Sequence, residues 1–149
     1  MVNAYAFRSF RYELLTPQGR LETGQTVSVV LPAVDGLIGI LARRAPLVAQ
    51  VGAGRMSMRR ADGGTTDYYV AGGFAHVREG ALTVLAEECT PAESLSQDAA
   101  ILQLERARAL PADTEADWQR RECALAAAHA KLRLVQQQAL GKSVRRYAQ

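Results

Sequence analysis

The residues of this chain that could do chemistry are few, and their spacing serves no reaction. It holds two histidines, His76 and His129, and two cysteines, Cys89 and Cys123. A metal centre takes three or four nitrogen, sulfur or oxygen donors at short fixed spacings, and neither histidine has such a neighbour in sequence. The cysteines lie far apart without a CxxC pairing and read as two buried, reduced thiols. Gly141-Lys142-Ser143 has the last residues of a phosphate-binding loop. The first glycine of that motif, however, falls at Gln136, inside a predicted helix rather than after a strand. Gly52-Ala53-Gly54 lacks the third glycine and the following helix of a dinucleotide fingerprint and reads as a turn. Ser57 and Ser96 have no recognisable base, and no pair of carboxylates stands beside an apolar pocket. No catalytic residue, cofactor or metal is expected, and the chain reads as a partner-binding subunit rather than an enzyme.

The elements around these residues divide near residue 92. Before it the apolar pattern has period two. Phe10, Tyr12 and Leu14 alternate with Arg11 and Glu13, and Thr16-Pro17-Gln18-Gly19 suits a type I turn. Val27, Val29 and Leu31 repeat the alternation. Met56–Arg60 and Asp67–Val70 flank Ala61-Asp62-Gly63-Gly64, and Phe74–Val77 and Ala81–Leu85 flank Arg78-Glu79-Gly80, which predicts two hairpins. Gly72-Gly73 reads as a bend where backbones approach closely. Many short strands with closely spaced turns predict an all-β sandwich or barrel over residues 1–92.

After residue 92 the chain turns helical, and a helical hairpin is expected over residues 93–149. Ser94-Leu95-Ser96-Gln97 has the spacing of a capping box. Ile101, Leu104, Ala107 and Leu110 give the first helix an apolar stripe that Pro111 ends. Thr114-Glu115-Ala116-Asp117 offers a second cap, and Trp118, Leu125, Leu132 and Ala139, with Ala128 and Val135 between, predict a long helix over 115–140 that Gly141 stops. A short link makes the two helices antiparallel neighbours.

At 149 residues the chain can bury roughly 68–70% of its unfolded surface without an external staple. No apolar run reaches the length of a membrane span, and the N-terminus lacks a cleavable leader pattern, so a cytosolic or membrane-peripheral protein is expected. Residues 1–95 carry nine arginines against nine acids, and residues 96–149 nine basic residues against six acids, so the net charge of +3 sits in the last third. From Lys131 onward Lys131, Arg133, Lys142, Arg145 and Arg146 meet no acid. That excess suits either a solvated helix end or an acidic partner surface.

The segment LPAVDGLIGILARRAPLVAQVGAG at 31–54, with YVAGGFAHVREGALTVLAEE at 69–88, resembles the epsilon subunit of the F-type ATP synthase. The matching pieces are Leu-Pro then Asp-Gly, Gly-Ile-Leu into Ala-Pro-Leu, Gly-Gly-Phe, and Val-Leu-Ala-Glu. The resemblance implies a non-catalytic subunit, peripheral on the cytoplasmic face of a bacterial inner membrane, and not a homo-oligomer. Its sandwich would bind the gamma shaft and rest on the c-ring, through Val34, Asp35, Gly36, Leu37 and Ile38 and the loop with Arg43 and Arg44. Its helical hairpin, through Lys131, Arg133, Lys142, Arg145 and Arg146, would reach the catalytic beta subunit and restrain ATP hydrolysis.

Two departures stand out. Ala42-Arg43-Arg44-Ala45-Pro46 replaces the family's Pro-Gly-His-Ala-Pro, so the backbone there is expected in a conformation ordinary for L-residues. Leu95-Ser96-Gln97-Asp98-Ala99 lacks the acid and arginine of the nucleotide-sensing pattern of some bacterial members. A different class of reading is a small β-barrel nucleic-acid-binding module with a basic helical tail. Against it stand the neutral sandwich, only three Phe and one Trp, and five Tyr of which Tyr68 and Tyr69 are adjacent in a strand.

Overall fold

A computed structural model describes residues 8–147, and the side chains of these up to residue 142. Ten strands come first: β1 (Phe10–Thr16), β2 (Gly19–Thr26), β3 (Ser28–Ala33), β4 (Gly36–Leu41), β5 (Leu47–Gln50), β6 (Gly54–Arg59), β7 (Thr65–Ala71), β8 (Phe74–Arg78), β9 (Ala81–Leu85) and β10 (Glu88–Pro91). They form two sheets, in the orders β2-β1-β9-β8-β5 and β10-β7-β6-β3-β4. This is the expected β-sandwich, and two helices follow it, α1 (Gln97–Arg108) and α2 (Glu115–Tyr147). The chain divides into two compact units between Cys89 and Thr90.

The period-two pattern becomes the sandwich interior. On β1 the side chains of Phe10, Tyr12 and Leu14 are buried while Arg11 faces out, and on β8 Ala75 and Val77 are buried between exposed neighbours. Val29 and Leu31 of β3, Met56 and Met58 of β6 and Val84 of β9 join the same apolar core. β1 lies antiparallel to β2 and parallel to β9, with Arg11 opposite Ala81 and Leu15 opposite Leu85. A carboxylate fastens the two sheets together at one side. Tyr12 of β1 donates its hydroxyl to Glu22 Oε1 at 2.7 Å, and Tyr68 of β7, in the other sheet, donates to Glu22 Oε2.

The turns follow their residues. Glu79 and Gly80, at φ 52° and 74°, join β8 to β9 as the two left-handed residues of a type I′ hairpin turn. Gly73 sits at φ 84° against β9, where an added Cβ would lie 1.8 Å from the Leu85 carbonyl oxygen. Gly72-Gly73 is thus a bend of close backbone approach, as its sequence suggests. β2, β5 and β10 have no apolar alternation to announce them. Their residues are exposed or half-buried along most of their length, so sheet pairing rather than a buried face makes them strands.

The helical unit departs from expectation in three ways. Its first cap is Ser96, not Ser94: Ser96 Oγ accepts from the Ala99 N–H at 3.0 Å, while Ser94 ends a short 3-10 turn and donates its hydroxyl to the Pro91 carbonyl. Only Ser96 stands one residue before the helix with its oxygen in reach of an orphan N–H. Second, α2 runs through Gly141 to Tyr147. Glycine in a helix interior costs about 1 kcal/mol relative to alanine, too little to break a helix with good formers on both sides. At 1.5 Å per residue the helix is about 50 Å long.

Third, the buried face of α2 is carried by Ala128, Ala130, Lys131 and Leu134, whereas Trp118 and Ala139 are exposed and Leu125, Leu132 and Val135 half-buried. Small alanines permit close approach, and the four-carbon stem of Lys131 fills apolar space beside them. The second cap is as expected. The Asp117 N–H donates to Thr114 Oγ1 at 3.1 Å, and the Thr114 hydroxyl donates to Asp117 Oδ2 at 2.8 Å. Cys89 is half-buried but Cys123 is exposed, so only one of the two thiols is screened from solvent. Burial, with the Glu22 carboxylate next in effect, pushes the Cys89 thiol up to about 11, which keeps it protonated and unreactive at neutral pH.

Candidate partner-binding surface

The hairpin of β3 and β4 builds the first part of this surface. Ala33 pairs with Gly36, leaving Val34 and Asp35 as the turn, and Gly36 takes φ 140°, a value that a Cβ would oppose. The base of the turn is tied down from outside the hairpin. The Val34 N–H donates to the Gln50 carbonyl at 3.2 Å, and the Gly52 N–H to the Pro32 carbonyl at 3.0 Å. A Cβ on Gly52 would lie 3.1 Å from the Ala33 carbonyl oxygen, so Gly52 serves close backbone packing.

The outer face of this hairpin carries apolar side chains into solvent. Val34 is 63% exposed, Leu37 74% and Leu41 59%. Such exposure of three large aliphatic groups on one short hairpin marks a contact surface rather than scattered surface hydrophobes. Asp35 and Gly36 are exposed with them. Ile38 points the other way and packs on the core, so of the five expected turn residues it alone supports the surface from behind. Leu41, missed by motif matching, belongs to the surface; its alternation with buried Ile40 was the available signal.

Arg43 and Arg44 lie past the other end of β4 and are exposed. The Arg44 N–H donates to the Leu41 carbonyl at 3.2 Å, closing a tight turn with Arg43 at its third position. Arg43 has φ 63°. The expectation of an ordinary L-residue backbone is therefore corrected: the turn keeps the left-handed geometry that suits glycine, and an arginine is held there against its preference. The structure does not bring this loop beside the Val34–Leu37 turn. The six residues of β4 lie between the Val34-Asp35 turn and this loop, about 20 Å at 3.3 Å per residue.

The helical residues divide likewise. Lys131, expected on the exposed basic end, is buried and donates from Nζ to Gln103 Oε1 of α1 at 3.0 Å. Heptad reading placed Leu132 at the seam, but Lys131 occupies it. Arg133 and Lys142 are exposed. The side chains of Arg145 and Arg146 lie outside the described residues. Among the described residues no cluster of three His, Cys, Asp or Glu side chains could hold a metal, and no described helix is long and apolar enough to cross a membrane.

Residues 9–92 match the family model for the ATP synthase delta/epsilon chain, beta-sandwich domain. The chain belongs to the epsilon family of F-type ATP synthase subunits. It is 36% identical over 107 residues to the ATP synthase epsilon chain of Rhizobium leguminosarum bv. trifolii, an alignment covering 72% of this chain and 79% of that one. A Brucella abortus ATP synthase epsilon chain is 36% identical over 88 residues, 59% of this chain and 65% of its own length. Among solved structures, a chain of the Euglena gracilis mitochondrial ATP synthase superposes with a TM-score of 0.70 at 25% identity, over 87% of this chain and 79% of that chain. A chain from the central stalk and c-ring structure of the Tetrahymena thermophila mitochondrial ATP synthase gives a TM-score of 0.69 at 12% identity, over 84% of this chain and 95% of that chain, which shows the shared fold alone.

An epsilon chain is a regulatory or structural subunit of the complex, peripheral in it, and not a catalytic one. The nucleic-acid-binding reading is not favoured. Tyr68 and Tyr69 are both buried in the described fold, so neither offers an open ring for a base to stack on.

Proposed function

We propose that this chain is the non-catalytic epsilon subunit of a bacterial F-type ATP synthase, on the cytoplasmic face of the inner membrane. Its sandwich couples the gamma shaft to the c-ring, and its helical hairpin restrains ATP hydrolysis at the catalytic beta subunit. The observation that carries the coupling role is the arrangement along β4. An apolar turn, Val34 to Leu37, stands at one end, and two exposed arginines at the other. A strand about 20 Å long can thus hold two separate contacts. The turn suits the loops of a membrane ring, and Arg43 and Arg44 suit an acidic or carbonyl-rich shaft. In support, the Euglena relative belongs to an assembly of OSCP, F1 and c-ring.

For the hairpin, Arg133 and Lys142 are the exposed basic side chains described from Lys131 onward, with Arg145 and Arg146 further along the same helix. Lys131 holds α2 to α1 instead and is no part of the proposed contact. Capture of gamma and c subunits from the assembled complex tests the coupling role. Removing residues 96–149 is expected to leave gamma bound and to raise ATP hydrolysis by the complex. Hydrolysis that stays level would make the hairpin purely structural.

A further inference from the structure

The two sheets have four edges, and three are guarded against strand pairing. β2 carries Arg20, Glu22 and Gln25 and has a register shift beside it between Leu14 and Leu15. β5 has four residues, and β10 has four with Glu88 and Pro91 among them. Charges, proline, bulges and shortness are the ordinary protections of an edge, whose unpaired N–H and C=O groups otherwise recruit another strand. β4 has none of them. It reads GLIGIL, six residues without charge or proline, in unbroken register with β3 from Ser28 opposite Leu41 to Ala33 opposite Gly36.

The side chains at this edge are equally inviting. Leu37 and Leu41 are exposed and flank Gly39, where an added Cβ would meet nothing within 4 Å, and exposed Val30 is Gly39's cross-strand partner. The charges at the two ends of β4 differ in sign: Asp35 precedes it, and Arg43 and Arg44 follow it. We infer that β4 is completed by an extended segment of the partner chain, which adds as a sixth strand to the sheet. The added segment has aliphatic side chains at alternate positions and acidic ones at the end that meets Arg43 and Arg44. Main-chain hydrogen bonds would give such a contact its affinity, and the open position at Gly39 and the end charges its register and polarity. The inference rests on the proposed role as a gamma-binding subunit and names the part of the fold that makes the bond.

The test uses the full chain and the gamma-containing complex. Gly39→Lys places a charge on the edge where space is open, so its melting temperature is expected to match that of the unaltered chain, while its affinity falls tenfold or more. Gly39→Ala is expected to bind within about threefold of the unaltered chain, since it adds bulk without charge. Hydrogen exchange on the unaltered chain gives a second reading, independent of any variant: amides of Leu37 to Leu41 slow in the complex. If the unaltered chain binds but the β4 amides are not slowed, or Gly39→Lys binds equally well, strand addition is overturned and the proposed function stands. If the unaltered chain does not bind at all, both fall. If the isolated chain sediments as a dimer that Gly39→Lys dissolves, the edge belongs to a second copy and the partner strand is wrong.

Discussion

Arg43 is held in a conformation that glycine would adopt freely, and replacing it with glycine should make the sandwich more stable. Its φ of 63° lies in the left-handed region, where a side-chain-bearing residue costs about 1–2 kcal/mol. Glycine removes that cost but adds freedom to the unfolded chain, which offsets about 0.4–1 kcal/mol. The net gain expected for Arg43→Gly is about 0.5–1 kcal/mol, or roughly 2–8 °C in the melting temperature of a domain this size. The same change removes a positive charge from an exposed loop, so affinity for an acidic partner should fall, by at most about fivefold for a single exposed charge. Arg43→Ala is the decisive control. It removes the charge and keeps the Cβ, so it should lose affinity without gaining stability. Thermal melts and binding titrations on the two variants separate the effects. A glycine variant that melts no higher than the alanine variant would refute the assignment of strain to this residue.

Alkaline titration should unfold the chain within a defined window. Burial, followed by the hydrogen bond to Glu22, pushes Tyr12 up to about 12, burial pushes Cys89 up to about 11, and Tyr68 and Tyr69 are raised as well. The folded state thus keeps protons that the unfolded chain releases above its ordinary values of 9.0 for cysteine and 10.0 for tyrosine. Their contribution is fully present below pH 9 and is lost as pH rises toward 12; a urea midpoint equal at pH 8 and pH 11 would contradict it. Gly73→Ala should prevent accumulation of folded sandwich, because its Cβ would overlap the Leu85 carbonyl oxygen. Gly80→Ala, with nothing within 4 Å of its Cβ, should cost only about 1–2 kcal/mol. Equal melting temperatures for the two variants would rule out the close approach at Gly73.

The parts of the fold readable in advance were those in which one local rule acts without competition. Glu79-Gly80 sits between two alternating runs and becomes the hairpin turn, and the Thr114-to-Asp117 spacing becomes a reciprocal cap. Where two rules competed, sequence pattern chose wrongly. Ser94 and Ser96 both suit a cap, and only the path of the chain after Pro91 decides between them. A glycine at 141 marks a helix end on average, yet the cost of keeping it in the helix is small. Lys131 looks like a surface charge until a facing glutamine and small neighbours make room for it. The candidate surface shows the same division. A turn at Asp35-Gly36 is legible from its residues and forms one residue earlier, at Val34-Asp35, but the inward direction of Ile38, the exposure of Leu41 and the left-handed backbone at Arg43 depend on register and local turn geometry that no motif encodes.

The parallel pairing of β1 with β9 bears on how the protein is made. β1 leaves the ribosome well ahead of β9, and β2 can fold back on it almost at once. Its other neighbour is Ala81–Leu85, which follows roughly seventy residues later, or about 4–14 s at ordinary rates of synthesis. For that interval Phe10, Tyr12 and Leu14 have no finished interior to enter. The hairpin must wait as an open edge, shielded by Arg11, Glu13 and the irregularity beside Leu15. Its exposure to aggregation is thus set by the order in which strands are born, and a chain interrupted before β9 leaves behind a half-built sheet rather than a smaller stable domain.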